Sequence, residues 1–356
     1  MLKLEDLGFD DHFKKFRGEP NLNGFEIGRI VTEHKERYVV LTGKGEFDAE
    51  ITGNMRYTAE DRLDYPAVGD WVTLTIYDDG LAIIHKLLPR KSILMRQAVG
   101  KFADKQVIAA NIDIAFIIQS VDRDYNMNRL ERYLTLCYAG NVEPIIILSK
   151  TDLIGNTELA DMLDKLKSRI REIAVIPLSN QTLFGYDKLQ TALDKGKTYC
   201  FLGSSGVGKS TVINNLAGMK ILKTNTISSS TNKGKHTTSR RELVILGNGV
   251  IIIDTPGLRE VGIADNSNGL ENTFDHIFKL SNQCRFANCT HTHEGGCAVL
   301  EAVEKGLVSM ASYRNYLKME RERSRFNTSI IEKRKKDKAF GKMCKEAVRY
   351  RKQKKF

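Results

Sequence analysis

The chain has 356 residues, 41% of them apolar and 28% charged, and its 55 Lys and Arg residues against 44 Asp and Glu residues give a net charge of +11. This length predicts two or three domains, and so ordinary a composition excludes collagen-like, mucin-like and wholly disordered chains. The longest apolar runs, such as residues 114–118, are far too short to cross a bilayer, so we expect no membrane partner.

The amino-terminal segment, MLKLEDLGFDDHFKKF, mixes acidic and basic residues and lacks the apolar core of a signal peptide. The sequence therefore predicts a cytoplasmic protein. In that reducing compartment, the three cysteines that lie close together near residue 290 favour metal ligation over disulfides.

Residues 1–104 carry short segments in which apolar and polar residues alternate. Three of them, Arg37–Thr42, Glu46–Ile51 and Trp71–Ile76, are separated by turns rich in Gly, Asp and Asn. Closely spaced strands of this kind are typical of a small barrel or sandwich, and we predict an OB-like β-barrel with an amino-terminal extension. The pattern does not distinguish this barrel from others. Residues 89–105 are interpreted as a basic connector.

From residue 105 to 269, apolar strands alternate with amphipathic helices. The strand-like runs lie at residues 112–118, 145–148, 174–178, 199–202, 243–246 and 250–253. This alternation predicts an α/β domain with a parallel sheet and flanking helices. Functional groups in such a sheet gather at the carboxyl ends of the strands.

The run at 145–148 leads into Ser149-Lys150-Thr151-Asp152, a variant of the guanine-binding sequence NKxD. The Asp152 carboxylate can accept hydrogen bonds from the N1–H and the exocyclic amine of guanine, and Lys150 would stack on the base. Ser149 replaces the usual Asn, so we expect weaker bracing of this loop. A plain turn at a strand end is the alternative. Leu178-Ser179-Asn180 is a further, less specific candidate for base contact.

The run at 199–202 leads directly into GSSGVGKST, which matches the phosphate-binding pattern GxxxxGK[ST] and precedes a helical segment. Glycines let the backbone aim N–H groups at phosphate oxygens, and the helix amino end adds a favourable dipole. We expect Lys209 to meet the β and γ phosphates and Ser210 to bind Mg²⁺. A glycine-rich turn without a ligand is the alternative. The predicted phosphate loop comprises Gly203, Ser204, Ser205, Gly206, Val207, Gly208, Lys209, Ser210 and Thr211.

The run at 250–253 ends in Asp254-Thr255-Pro256-Gly257, a DxxG sequence. Asp254 could hold Mg²⁺ through water, and the N–H of Gly257 could sense the γ phosphate, although Pro and Gly also favour a plain turn. Ordinary GTPases present the phosphate loop before the base-reading loop, and this chain has the reverse order. The sequence therefore predicts a circularly permuted GTPase domain that binds GTP and GDP.

Residues 270–356 predict a helical, zinc-binding domain with a basic tail. Cys284, Cys289, His291 and Cys297 form C-x4-C-x-H-x5-C, a set of three thiolates and one imidazole suited to one structural zinc ion. His293 is a candidate substitute for His291, and unlinked thiols near two histidines are the alternative.

The tail, residues 332–356, contains twelve Lys and Arg against three Asp and Glu, a net of +9 that leaves +2 for the preceding 331 residues. Such a polycation is typical of a nucleic-acid-binding element, and a solvated, disordered tail is the alternative. Individual residues of the barrel segment are weaker candidates for RNA contact, each more simply read as a solvated or core residue: Arg29, Lys44, Tyr57, Lys91 and Arg96.

The barrel, the permuted order of LSKTDL, GSSGVGKST and DTPG, and the Cys/His cluster together resemble the RsgA (YjeQ) family of bacterial GTPases that depend on the small ribosomal subunit. Segments 105–113 (KQVIAANID) and 233–243 (KGKHTTSRREL) are similar to signatures of that family. The resemblance implies an OB fold, a permuted GTPase domain and a zinc domain. It also implies a role in late maturation of the small subunit, with its rRNA as partner.

The residue that follows DTPG is Leu258, where many GTPases carry a glutamine that orients the attacking water. His236, in the segment KGKHTTSR where switch I belongs, is the candidate for that role, and the resemblance favours it. An exposed loop histidine is the alternative. Thr237 or Thr238 would contact magnesium and the γ phosphate, so that Ser210, Thr238 and Asp254 form the predicted magnesium set.

The leading hypothesis is a monomeric GTP hydrolase that binds the small ribosomal subunit, with GTP favouring the bound state and hydrolysis favouring release. The alternative is a nucleotide-regulated, rRNA-binding assembly factor with little intrinsic hydrolysis, a hypothesis that Leu258 supports. ATP hydrolysis is a third, weaker hypothesis, because the base-reading loop is that of guanine-specific proteins.

Overall fold

The computed structural model describes residues 2–16, 24–34, 36–77, 80–97, 105–219, 241–255 and 267–327. Its strands are β1 (Glu26–His34), β2 (Arg37–Thr42), β3 (Gly45–Ile51), β4 (Trp71–Ile76), β5 (Leu81–Leu87), β6 (Ile93–Gln97), β7 (Lys105–Ala110), β8 (Ile114–Ser120), β9 (Glu143–Ser149), β10 (Val175–Leu178), β11 (Thr198–Leu202), β12 (Glu242–Ile245) and β13 (Ile251–Asp254). Its helices are α1 (Asp11–Lys14), α2 (Gly53–Thr58), α3 (Met127–Ala139), α4 (Asn156–Arg169), α5 (Tyr186–Thr191), α6 (Lys209–Ala217), α7 (Ser267–Thr273), α8 (Asp275–Ser281), α9 (Ala298–Glu304) and α10 (Met310–Asn327).

A closed five-stranded barrel forms the first part of the chain. Its strands follow the order β1-β2-β3-β5-β4, and β1 also pairs with β4, which closes the ring. Only the β3–β5 pair within this barrel is parallel. Alternate side chains along a strand point to the same side, so Ile30, Val40, Leu74 and Ile84 are buried together inside. The barrel prediction is confirmed, and β2 and β4 begin and end at the predicted residues.

The amino-terminal extension packs against the barrel through aromatic side chains. Leu7, Phe9 and Phe13 form an apolar cluster with Trp71 and Leu88. The ring of Phe9 meets that of Trp71 edge-on, with 4.9 Å between ring centroids. The extension is therefore part of the packed structure.

Arg29, on β1, is buried where the extension, the barrel and the sheet domain meet. Its guanidinium donates hydrogen bonds to the carbonyl oxygens of Leu7, Gly69 and Asn111 and to Oγ1 of Thr198. Burial lowers the pKa of Arg29 to about 10, so the group is still charged at neutral pH. This arginine joins three parts of the chain and is not exposed for RNA contact.

The second domain is built on strands in the order β10-β9-β8-β11-β13-β12. Neighbours in this series are parallel except β12, which runs antiparallel to β13 and also meets β1 of the barrel. Apolar residues of α3 and α4, such as Leu130 and Leu166, pack in one core cluster, and those of α5 and α6, such as Leu189 and Val212, pack in another. The predicted α/β architecture with a parallel sheet is confirmed.

Strands β6 and β7 form a separate antiparallel pair between the barrel and the sheet domain. The interpretation of residues 89–105 as a connector is wrong for Ile93–Gln97, because this segment pairs with Lys105–Ala110 and Leu94 is fully buried. The predicted boundary between residues 104 and 105 lies between these two paired strands.

The third unit comprises helices α7 to α10, whose apolar core includes Phe274, Ile277 and Met319. Helix α7 lies directly on α3 of the sheet domain: a Cβ atom added to Gly269 would lie 2.4 Å from the carbonyl oxygen of Thr135. The predicted boundary between residues 269 and 270 therefore falls inside a helix that packs on the preceding domain. Among the described helices, none is long and apolar enough to span a bilayer.

Helix α3 also contacts α10 through charged side chains. Arg132 pairs with both carboxylate oxygens of Glu322 at 2.6 and 2.8 Å. Glu131 is almost fully buried and accepts hydrogen bonds from Arg169 and from the side-chain amide of Asn315. A buried carboxylate requires partners of this kind, so the contact fixes how the helical unit docks on the sheet domain.

Candidate nucleotide site and metal centre

Five parallel strands end at one edge of the sheet. They are β10, β9, β8, β11 and β13, in that spatial order. Parallel strands present their carboxyl ends on the same side, so the loops that begin after Ser120, Ser149, Leu178, Leu202 and Asp254 come together. The predicted base-reading, phosphate and DxxG sequences all start at this edge.

The phosphate loop connects β11 to α6 and depends on two glycines. Gly203 has a φ of 153° and Gly208 a φ of 100°, in the region that favours glycine. A Cβ atom on Gly203 would lie 2.4 Å from the carbonyl oxygen of Ile118, and one on Gly208 would lie 2.6 Å from Nδ2 of Asn180. Side chains at these two positions would force the loop away from its neighbours.

Lys209, the first residue of α6, folds its side chain back over the phosphate loop. The side chain is buried, and Nζ donates to the carbonyl oxygens of Gly203 at 2.8 Å and Ser204 at 2.6 Å. Ser210 and Thr211 follow it in the first turn of the helix and are half-buried. The ammonium group of Lys209 and the N–H groups of the first turn of α6 are thus gathered at a helix amino end, where anions bind.

The base-reading loop is tied to the phosphate loop by Ser149. This residue is fully buried, and its hydroxyl donates a hydrogen bond of 2.7 Å to the carbonyl oxygen of Val207. This bond braces the loop, and weaker bracing by serine than by asparagine stays a prediction. Lys150 has a left-handed φ of 61°, and its Nζ lies 2.9 Å from Oδ2 of Asp122. Thr151 is buried beside it.

The exposed carboxylate of Asp152 is held by the next loop of the sheet. Ser179 Oγ donates to Asp152 Oδ1 at 2.6 Å. Ser179 Oγ itself accepts hydrogen bonds from the backbone N–H groups of Gln181 and Thr182. The side-chain amide of Asn180 donates to the carbonyl oxygen of Gly208 at 3.4 Å. The segment 178–180 thus lies against both the base-reading and the phosphate loops, and Ser179 orients the Asp152 carboxylate through Oδ1.

Asp254 ends β13 and is buried close to the phosphate loop. Burial raises the pKa of its carboxyl group, and the charge on Lys209 opposes that rise. The next residue, Thr255, donates its hydroxyl proton to the carbonyl oxygen of Phe201 on β11. A buried carboxylate at this edge is suited to a cation. The other predicted switch residues lie outside the described residues: His236, Thr237, Thr238, Gly257 and Leu258.

Three charged residues after β8 belong to the site although no sequence motif marks them. Asp122 contacts Lys150, and Asp124 and Arg129 contact Ser204 of the phosphate loop. Their one signal in the sequence is their position in the segment that runs from the end of a predicted strand of the parallel sheet into the first turn of the helix that follows it.

The predicted metal ligands lie together in the helical unit. One ligand atom from each of Cys284, Cys289, His291 and Cys297 is within 4.8 Å of the others. His291 Nδ1 lies 3.6 Å from Cys284 Sγ and 3.4 Å from Cys297 Sγ, and those two sulfur atoms are 3.9 Å apart. Burial lowers the pKa of His291, which favours the neutral ring that coordinates metals. This cluster could bind a metal ion.

Comparison with known proteins gives consistent matches. A family model described as RsgA GTPase matches residues 87–264. A protein of Lactiplantibacillus plantarum named small ribosomal subunit biogenesis GTPase RsgA 2 is 44% identical over 321 residues, which cover 90% of each chain. A protein of Bacteroides thetaiotaomicron named small ribosomal subunit biogenesis GTPase RsgA 1 is 39% identical over 340 residues, which cover 95% of each.

Solved structures share the fold. The crystal structure of YjeQ from Thermotoga maritima aligns with a TM-score of 0.62 and 25% identity, covering 84% of this chain and 98% of that one. YloQ, described as a circularly permuted GTPase, aligns with a TM-score of 0.59 and 24% identity, covering 86% and 97%. The second likeness supports the predicted permuted fold.

Proposed function

Because this chain belongs to the RsgA GTPase family, we propose that it hydrolyses GTP while it assists the assembly of the small ribosomal subunit. It binds the maturing subunit and its rRNA at a late stage, and hydrolysis stimulated by the subunit drives its release. The observation that carries the proposal is the meeting of the base-reading loop, braced by Ser149, with the phosphate loop at one sheet edge. The names of its relatives supply the ribosomal partner.

In this proposal the base-reading loop recognises the guanine of GTP and GDP, and the phosphate loop binds their phosphates. Asp152 accepts hydrogen bonds from guanine, and Lys150 stacks on the base. The backbone N–H groups of residues 203–211 and the ammonium of Lys209 bind the phosphates, and the N–H of Gly257 senses the γ phosphate. Ser179, which already orients the Asp152 carboxylate, supports this division.

The residues proposed to hold Mg²⁺ are Ser210, Thr238 and Asp254. Their oxygen atoms are the ligands that magnesium prefers, and the buried Asp254 carboxylate near Lys209 fits a site that gains a cation. Bound magnesium would neutralise charge that develops on the β and γ phosphates. Thr237 is the neighbouring candidate for the threonine contact.

His236 is proposed to orient the attacking water, because Leu258 carries no hydrogen-bonding group where many GTPases use glutamine. A His236→Ala variant should still bind GTP but lose most of the turnover that the subunit stimulates. A variant with unchanged stimulated turnover would assign water orientation to another group.

We propose that the metal of the Cys/His cluster is one structural zinc ion. Zn–S bonds of about 2.3 Å and Zn–N bonds of about 2.0 Å in a tetrahedron place two sulfur atoms about 3.8 Å apart and a sulfur and a nitrogen atom about 3.5 Å apart. The distances among Cys284, His291 and Cys297 are 3.4 to 3.9 Å, which fits these values. Four protein ligands leave no open position, so the ion would stabilise the helical unit.

The barrel and the basic tail are proposed to contact rRNA. Tyr57 is 90% exposed on the barrel, and residues 332–356 carry a net charge of +9. We also propose that the protein is a cytoplasmic monomer, in accord with the five described cysteines, which are free thiols.

The deciding experiment measures phosphate release from GTP by the purified protein with and without small ribosomal subunits. We expect small subunits to stimulate phosphate release, and we expect an equal amount of large subunits not to do so. Binding to small subunits without stimulation would favour the alternative, a nucleotide-regulated rRNA-binding factor with little hydrolysis. Equal hydrolysis of ATP would contradict the assignment of guanine.

A further inference from the structure

The loop after β8 makes a closed set of hydrogen bonds with the phosphate loop. Arg129 donates from Nη1 to Asp124 Oδ2 at 2.8 Å and to Ser204 Oγ at 2.9 Å. Ser204 in turn donates its hydroxyl proton to the carboxylate of Asp124. Ser204 is buried, whereas the other two side chains keep 26% and 40% of their surface exposed.

Local structure fixes the positions of the two charged residues. The side-chain amide of Gln119 donates to the carbonyl oxygens of Asp124 and Asn126, both at 3.2 Å. Asn126 caps α3, and its Oδ1 accepts the backbone N–H of Arg129 at 3.1 Å. Arg129 therefore lies in the first turn of a capped helix. The loop before this helix is held in place by Gln119 of β8.

Ser204 passes this constraint to the phosphate-binding lysine. Its side chain contacts Asp124 and Arg129, and its carbonyl oxygen accepts a hydrogen bond from Lys209 Nζ at 2.6 Å. A change in the position of Ser204 would move both the loop backbone and the group on which the ammonium rests.

We infer that Asp124 and Arg129 are positioning residues of the nucleotide site. They hold Ser204 so that the phosphate loop and Lys209 keep the conformation that receives the β and γ phosphates. The carboxylate neutralises the guanidinium, so the pair supplies geometry and adds little net charge for the phosphates. This inference rests on the proposed guanine-nucleotide site.

The test compares Arg129→Ala, Ser204→Ala and the double variant in the full chain. Binding of GDP and of a non-hydrolysable GTP analogue is titrated by fluorescence, and kcat and KM are measured for GTP. Each single variant should weaken both nucleotides about tenfold and raise KM more than it lowers kcat. The double variant should bind no more weakly than the weaker single variant, because both changes break one network. Arg129→Lys should restore part of the affinity.

The matched control is Arg132→Ala, on the same helix, whose guanidinium pairs with Glu322 of α10. It should leave both nucleotide affinities unchanged. If Arg129→Ala lowers Tm but leaves Kd and KM unchanged, or if the losses in the double variant multiply, the inference is overturned. Should Arg129→Ala fail to fold, Asp124→Asn applies the same test with nearly equal side-chain volume. A wild-type protein that binds no guanine nucleotide would instead overturn the proposed function.

Discussion

The hydroxyl of Ser149 donates a hydrogen bond to the carbonyl oxygen of Val207, 58 positions further along the chain. This single bond joins the loop that would read the base to the loop that would bind the phosphates. The short side chain suffices because the end of β9 and the phosphate loop already lie close together, with Ser149 fully buried between them.

Removal of this hydroxyl should loosen the nucleotide site. We expect Ser149→Ala to weaken GDP binding by about 1 kcal/mol, or about fivefold, the usual contribution of one such hydrogen bond. Isothermal titration would measure it, with Ser168→Ala, an exposed serine of α4, as the control. Unchanged affinity in Ser149→Ala would show that the bond has no effect on binding.

Loss of the carboxylate at Asp152 should abolish the preference for guanine. Asp152→Asn removes an acceptor for two hydrogen bonds, so we expect GTP affinity to fall about 100-fold or more. Inosine triphosphate lacks the exocyclic amine, so it should bind the wild type more weakly than GTP does. The variant should bind inosine triphosphate and GTP equally well. Competition against a fluorescent nucleotide would measure both.

Ser179→Ala provides a graded version of this change, because it removes only the hydroxyl that holds Asp152. It should give a smaller loss than Asp152→Asn. Asp161→Asn, on the exposed side of α4, is the control for charge. If Asp152→Asn kept the wild-type ratio of GTP to inosine triphosphate affinity, another residue would read the base.

Removal of the His291 ring should release the metal. We expect elemental analysis to find close to one zinc ion per chain in the wild type and far less in His291→Ala, with a lower Tm. His293→Ala is the matched control, because the His293 Nδ1 contacts the hydroxyl of Thr292 and is not in the cluster. If His293→Ala lost zinc and His291→Ala kept it, the ligand would be His293. If elemental analysis found another metal in the wild type, the assignment of zinc would be wrong.

Deletion of residues 332–356 should weaken binding to small subunits and flatten its dependence on salt. Each phosphate contact adds about 0.7 to 0.9 to the slope of the logarithm of affinity against the logarithm of salt concentration. The deleted segment carries twelve Lys and Arg. Sedimentation at several salt concentrations would measure the slope, and a neutral segment of equal length would control for size. Intrinsic GTP hydrolysis should be unchanged, because the tail is proposed to contact rRNA and not the nucleotide. Loss of nucleotide binding in the deletion variant would contradict this prediction.

Strands that alternate regularly can be predicted from the sequence, and the alternation at Trp71–Ile76 predicts both ends of β4. Strand β1 cannot be predicted in this way, because Arg29 interrupts its apolar face with a charge that only tertiary partners make tolerable in the interior. The pairing of β6 with β7 is likewise a contact between segments that show no strong pattern alone.

Some residues of the candidate site could likewise be predicted from the sequence, and others could not. The loops at 149–152 and 203–211 have characteristic spacings because phosphate and base contacts demand particular residues at fixed offsets. Asp124 and Arg129 act through side chains that meet Ser204, 75 to 80 positions away, and such contacts leave no local spacing in the sequence. The bracing bond of Ser149 could not be predicted because it depends on how closely two loops approach.

The position of Arg29 has a consequence for how the molecule unfolds. Its guanidinium donates hydrogen bonds to the extension, the barrel and the sheet domain, so separating any one of these parts would break one or more of its hydrogen bonds. Barrel and sheet domain should therefore melt as one cooperative unit, and calorimetry should record a single transition for both. A barrel expressed alone would lack Asn111 and Thr198, two of the acceptors that keep this arginine buried.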